Sequence, residues 1–311
     1  MKYLTNKMIL TMNNQPIKLT EVQRKELQEI AIALTNHYKI EKIICFAAIS
    51  SLSTSDTIFT PPEATSSSAY YLLVMTTETT RIEHSMQDCI GTLFPGTYVI
   101  AHGLETVMNS VSHHDNFFLS ACLNGALIYT SDGVTMIPEF EVEKAEQGAL
   151  KDKEAFDRIY KLAEGFLESA FVCYENNFYN NVIFLLHQAV EQGCRALIRL
   201  FTGYRSDIHN ISRLLEFCNC FSQEPALIFR RHFATEKKLF TILSNSYSHA
   251  RYKDNYEVVD TDANELCTQV KAFLDLVAQL AKRNPHKGAA KDAAEVSAEV
   301  VDYSPALPAS L

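Results

Sequence analysis

Near residue 150 the spacing of the apolar residues changes character, and this change constrains the fold more than any other feature of the chain. Upstream, short apolar runs alternate with helical segments. Downstream, strand signals disappear and apolar residues recur only at intervals of three and four. A chain of 311 residues is long for one compact unit and comfortable for two. The pattern predicts an α+β domain over 1–150, a small mixed sheet with helices, followed by an all-α bundle over 151–284. The Ala/Glu/Pro-rich tail over 285–311 has no core-forming pattern and is expected to be disordered.

In the front part, Thr20-Glu21-Val22-Gln23 is a capping-box pattern, and Leu27, Ile30, Ala31 and Leu34 follow at helical spacing. Lys42 to Ala47, Tyr70 to Met75, Tyr98 to Ala101 and Ala126 to Tyr129 read as strands. Ile82 to Leu93 and a stretch through Phe117 to Leu123 read as helices. The Ser/Thr/Pro-rich stretch from Ser50 to Ser68 reads as a long loop. In the rear part five helices are expected: around Phe156 to Ala170, Val182 to Ile198 (ending near Gly203), Ile211 to Cys218, Ile228 through Leu243, and Thr261 to Lys282. Their short connections suit antiparallel neighbours in a bundle.

Composition narrows the function classes. Hydrophobic residues make up 47% and charged residues 21%, enough to bury real cores. No run approaches eighteen apolar residues, so no membrane span is expected, and no leader pattern follows Lys2 and Lys7. The eight cysteines fit neither a disulfide framework nor CxxC zinc pairs, and read as small buried hydrophobes in a reducing cytoplasm. The net charge is −9, but residues 1–150 carry 9 basic against 16 acidic side chains, whereas 151–284 carry 17 against 17. An acidic chain lacks the many phosphate contacts of a non-specific duplex binder. The neutral half still holds cations enough for a local nucleotide or RNA site. GxxxxGK[ST], HExxH and GxSxG are all missing, so P-loop, zincin and α/β-hydrolase chemistries have no support.

Phe184-Leu185-Leu186-His187-Gln188-Ala189-Val190-Glu191, followed by Arg195-Ala196-Leu197-Ile198, resembles the second helix of the HEPN domain (higher eukaryotes and prokaryotes nucleotide-binding). Asp207-Ile208-His209-Asn210-Ile211 with Leu214-Leu215 is similar to that family's entry into helix three. Tyr247-Ser248-His249-Ala250-Arg251-Tyr252-Lys253-Asp254 resembles the ending of its helix four, with Lys253 where proline is usual. The resemblance spans roughly 150–283 and implies a bundle of about five helices that dimerises.

The polar residues gather in the same places. His187, Glu191 and Arg195 stand at i, i+4 and i+8, one stripe on an otherwise core-facing helix. Asn245 and His249 share a face near the end of the fourth helix, with Arg251 and Tyr252 just beyond. These seven residues form the expected ligand-binding set, because guanidinium, imidazole and aromatic faces together suit a phosphate and a stacked base. The alternatives are an ordinary inter-helix polar network for the first three, and a helix-end cation at Arg251. Arg230-Arg231 and Lys237-Lys238 put four cations on the expected fourth helix, either a solvated face or an RNA-facing ridge.

Ribonucleases of the HEPN type are marked by Arg, four to six residues, then His on one helix, an arrangement that needs no metal. No such spacing occurs in 151–284: Arg205 and His209 have three residues between them, Arg230-Arg231-His232 are adjacent, and His249-x-Arg251 is reversed. His249 and Arg251 are the only candidate catalytic pair. HEPN domains are often fused to nucleotidyltransferase-like domains, and the front half resembles one in strand order and in its Gly125 to Tyr129 ending. That family's Gly-Ser and its metal-binding acids, needed to hold two hard cations, have no counterpart in Phe46 to Ser51, Ser68 to Val74 or Tyr98 to Ala101. His113-His114-Asp115 reads as a solvated helix end rather than a metal site.

The expectation is therefore a cytoplasmic, non-catalytic nucleotide- or RNA-binding protein that needs no cofactor or metal. It would have a degenerate nucleotidyltransferase-like front and form a homodimer through its helical domain. The alternatives are an atypical metal-independent ribonuclease and an interaction module with a protein partner, as in a toxin–antitoxin pair.

Overall fold

A computed structural model describes residues 17–55, 63–77, 82–113, 115–133, 142–252 and 257–284, with side chains for all but 52–55, 63–66, 142–147 and 247–252. The expected tail lies outside the described residues. The chain opens with α1 (Glu21–His37), whose capping box is formed: Thr20 Oγ accepts from the Gln23 N–H at 3.2 Å, and Gln23 Oε1 from the Thr20 N–H at 2.9 Å. The four expected apolar positions, Leu27, Ile30, Ala31 and Leu34, are the face that it buries.

A four-stranded sheet follows, in the order β3-β2-β1-β4: β1 (Ile40–Ser55), β2 (Glu63–Thr76), β3 (Thr97–Gly103) and β4 (Ala126–Thr130). β1 is antiparallel to β2 and β4, while β2 and β3 run parallel, joined by α2 (Glu83–Leu93). The pairing of β1 with β2 continues out to Ser55 opposite Glu63. The stretch read as a long loop from Ser50 is thus largely two paired strands. Serine is a weak strand signal, but β-branched threonine fits a pleat. α3 (Leu104–Ser112), which the sequence did not announce, and α4 (Asn116–Asn124) lead from β3 to β4.

The helical half comprises α5 (Val142–Glu175), α6 (Tyr179–Thr202), α7 (Ile211–Cys218), α8 (Glu224–Ile228), α9 (Ala234–Tyr252) and α10 (Asp260–Arg283). α5 runs through residue 150 without a break. The fourth expected helix is two: α8, with Pro225 in its first turn, and α9, which begins at Ala234. Arg230 and Arg231 therefore lie in the connection and not on a helix shared with Lys237 and Lys238.

Both faces of the sheet are covered, and residue alternation sorts its side chains between them. Ile43, Cys45, Tyr70, Leu72, Val74 and Val99 join α1 and α2 in one core. Ile44, Tyr71, Leu73, Met75, Tyr98 and Ile100 belong to a second, which continues without interruption into the helical bundle. A bulge in β1 between Cys45 and Ala47 adds Phe46 to this side. There Phe46 meets Phe117 edge-on, with ring centroids 5.2 Å apart, and Phe217 of α7 at 6.2 Å. Tyr98 lies 5.2 Å from Phe217.

Polar ties reinforce the junction. Arg213 of α7 pairs with Glu83 at 3.0 Å, both largely buried, and donates to His84 Nδ1 at 2.8 Å. The Tyr71 hydroxyl donates to the Glu216 carbonyl at 3.0 Å.

Within the bundle, α6 and α10 approach closely at Gly193, where a Cβ would stand 2.5 Å from the Phe273 ring. Phe273 is fully buried and cannot swing away. Gly193→Ala is expected to destabilise the protein by about 1–3 kcal/mol through overpacking, read as a lowered midpoint in thermal or urea unfolding.

Candidate functional site

The centre of the site is Glu191, 2% exposed on the inward face of α6. A buried carboxylate without partners costs several kcal/mol, so its neighbours decide whether the residue is tolerable. Arg195 Nη1 donates to Glu191 Oε1 at 3.3 Å and His209 Nδ1 lies 3.0 Å from the same oxygen. His187 Nε2 stands 3.9 Å from Oε2. The i, i+4, i+8 stripe therefore converges as its spacing indicates, and gains a fourth member.

His187 is buried, and its Nδ1 lies 3.0 Å from the Leu243 carbonyl of α9. A carbonyl only accepts, so Nδ1 carries the proton. Burial lowers the ring's pKa below 6.5, outweighing the Leu243 bond and the Glu191 charge, which act the other way. His187 is thus a neutral strut between α6 and α9. Arg195 and His209 have side chains 25% and 64% exposed, so the inner carboxylate orients two basic groups that reach solvent.

His209 arrives on the connection from α6 to α7. Gly203 ends α6 at φ +76°, a left-handed conformation that suits glycine. Tyr204, Ser206 and Ile208 are then buried while Arg205, Asp207 and His209 are exposed, an extended strip with one face inward. Tyr204 anchors its start: its ring lies 4.7 Å from Phe117, and its hydroxyl is 2.9 Å from His102 Nε2. Burial lowers the His102 pKa. The far end is held by Asn210, whose side chain caps α7 through the Arg213 N–H at 3.1 Å. The front half thus helps to place His209.

Asn245 is half-buried on α9, two residues beyond the Leu243 carbonyl that holds His187. For His249, Arg251 and Tyr252 the backbone is helical, but their side chains lie outside the described ones, as do Lys253, Asp254 and Tyr256 entirely. His209 was not among the expected ligand-binding residues. Linear spacing could not single it out, because its partners Glu191 and Arg195 lie on a different element.

In the front half, the inner parts of the strands are closed on both faces by the two cores. Tyr71 and Tyr98 pack against the bundle. Among the described residues no group of three or more His, Cys, Asp or Glu side chains could hold a metal ion. His113 is exposed at the end of α3, and Asp115 caps α4 by accepting from the Phe117 N–H at 3.1 Å. His114 lies outside the described residues. No helix among the described residues is long and apolar enough to cross a membrane.

The architecture is thus a helical bundle with a buried acid–base cluster, packed against a small mixed sheet. Residues 156–281 match the family model of the HEPN domain, so the C-terminal half of the chain carries a HEPN domain. Among solved structures, an archaeal HEPN homologue is 25% identical, covering 40% of this chain and 97% of its own, with a TM-score of 0.31. A nucleotidyltransferase-like protein from Exiguobacterium sibiricum is 10% identical, covering 81% of this chain and 74% of its own, with a TM-score of 0.25. No curated protein matches the chain.

The His187 shift has a measurable sign. Its folded pKa lies below 6.5, so in the acid range the unfolded chain takes up a proton that the folded one resists. Its contribution is complete above pH 6.5 and shrinks as the pH falls below that value. The stability difference between wild type and His187→Gln should therefore narrow from pH 7.5 to pH 5.5 in urea titrations. A constant difference would mean that His187 is not held neutral.

Proposed function

We propose that this protein binds a nucleotide or RNA through its HEPN domain, performs no nucleotidyl transfer, and dimerises through the same domain. The observation that carries the reading is the convergence of Arg195 and His209 on the buried Glu191 carboxylate. A phosphate approaching from solvent would meet the Arg195 guanidinium already oriented, with the His209 ring fixed beside it, at little cost in side-chain ordering. His187 and Asn245 support this set from within. His249, Arg251 and Tyr252 complete the proposed set on the strength of their place in the sequence, as a second cation, imidazole and stacking ring.

Binding of labelled single-stranded RNA and of nucleoside triphosphates, followed by anisotropy, tests the assignment. Arg195→Ala and Arg251→Ala should each weaken binding at least roughly tenfold, about 1.4 kcal/mol, with an unchanged circular dichroism spectrum. Unchanged affinity in Arg251→Ala would remove the end of α9 from the site, and unchanged affinity in both would sink the reading.

A second reading is favoured by the same convergence. The spacing rule for HEPN ribonucleases fails along the helix, yet an arginine and a histidine still meet at one carboxylate across two elements. Such a trio could pair phosphate binding with proton transfer at the 2′-hydroxyl. Incubation of the purified protein with labelled RNA in EDTA decides it. Cleavage abolished by His209→Ala would establish a metal-independent ribonuclease, whereas intact RNA would leave binding as the function.

A further inference from the structure

The connection between α8 and α9 contains the densest run of basic residues in the chain, Arg230-Arg231-His232, followed by Phe233. Together with Asn219, Gln223 and Leu227, the three basic side chains line a cleft of about 260 Å³ that has no acidic residue in its wall. Arg231 is locked in place: its Nη1 donates to Ser212 Oγ at 3.0 Å, and its guanidinium lies 4.5 Å from the centre of the Phe240 ring. Arg230 and His232 are exposed.

Two exposed apolar side chains stand out beside these cations. Phe233, next in the chain to His232, is 71% exposed, and Leu227 is 54% exposed. An exposed aromatic ring beside cations offers a free face on which a planar group can stack. The turn is also rigid. Glu236 Oε2 accepts from the His232 N–H at 2.8 Å and the Phe233 N–H at 3.1 Å, bonds that hold its carboxyl below the usual range. That carboxylate also feels the charges of Arg230 and His232, so it offsets part of the local positive charge.

We infer that this corner between α7, α8 and α9 is a contact site for single-stranded RNA, with Arg230 and His232 on a phosphate and an unpaired base stacked on Phe233. Three arguments select this occupant. A wall with cations and amides but no carboxylate suits an anion. The volume lies below the roughly 300–1,000 Å³ of sites that enclose a small molecule, so a strand crossing the surface fits better than a free cofactor. An exposed ring next to cations is the combination that single strands use, since every base has a face to stack.

The corner is also placed to continue the site at Glu191. Ser212, which holds Arg231, is three residues beyond His209, and three residues span at most about 10 Å. The inference rests on the RNA reading of the function given above.

The experiment is anisotropy of a labelled 15-nucleotide single-stranded RNA, with a duplex of the same length, between 50 and 200 mM salt. Arg230→Gln should weaken single-strand binding and lower the slope of log affinity against log salt by about 0.7, the value for one lost phosphate contact on a single strand. Phe233→Ala should weaken binding at least fivefold with the salt slope unchanged, because stacking releases no counterions. Both substitutions are at exposed positions and leave the core intact.

If the wild type binds no RNA, the RNA side of the functional reading fails and this inference falls with it. If it binds, Arg195→Ala weakens it, and neither corner variant has an effect, the inference is overturned while that reading stands. Equal affinity for the duplex would also overturn it, since a paired base cannot stack on Phe233.

Discussion

The structure depends on the burial of the sheet's second face against the HEPN bundle. Phe46, Tyr71, Tyr98, Phe117, Tyr204 and Phe217 come from six different elements and connections and meet in one aromatic cluster. Each such ring removes on the order of 150–250 Å² from water, an upper transfer gain of ~4–6 kcal/mol at ~25 cal/mol per Å². Domains joined by a small polar contact move relative to one another by default, whereas a large apolar interface holds them. Here the apolar cores are continuous, and the Arg213–Glu83 pair sits largely buried at the junction. Its desolvation cost makes it a poor source of stability. Its value is register, because breaking either partner strands a buried charge.

That burial also fixes what the described strands of the front half present: both their faces are packed. A two-metal transfer site needs a cleft over the sheet with carboxylates aimed into it. Tyr71 and Tyr98 put phenol rings against Phe217 and Phe46 instead, and burial pushes the Tyr71 hydroxyl well above its ordinary range. A position that packs an aromatic ring into the interface cannot also present a carboxylate to a metal. Three acidic residues of this half have structural partners: Glu83 in the junction pair, Asp115 as a helix cap, and Asp132 on Lys42 at 2.8 Å.

Much of the architecture was legible because it rests on periodicity and local chemistry. The capping box at Thr20, the apolar run of β2 and the helical stripes of α6 and α10 are all written in neighbouring residues. The errors share a cause. The stretches Ser50–Ser55 and Glu63–Ser68 pair through their backbones but are mostly Ser and Thr in sequence, so composition pointed to a loop. The break before α9 falls at Phe229, whose fully buried ring packs on Phe240 and Phe273. Its apolar character looked like helix periodicity, although tertiary contact was the reason for it. The candidate site divides in the same way. His187, Glu191 and Arg195 follow from a helical repeat, whereas His209 joins them only because an extended strip crosses the end of the helix.

That strip shows why the site is a property of the whole chain. It runs from Gly203 to Asn210; past Gly203 its buried residues are Tyr204, Ser206 and Ile208, and Tyr204 is seated among Phe117, Phe118 and His102 of the front half. At the other end His209 reaches a carboxylate on α6. Eight residues therefore tie the aromatic junction to the acid–base cluster. An extended segment with alternate side chains fixed cannot slip by one residue without turning its buried face to solvent. The front half therefore has a physical role at the site: it holds in register the strip that presents His209 beside Arg195.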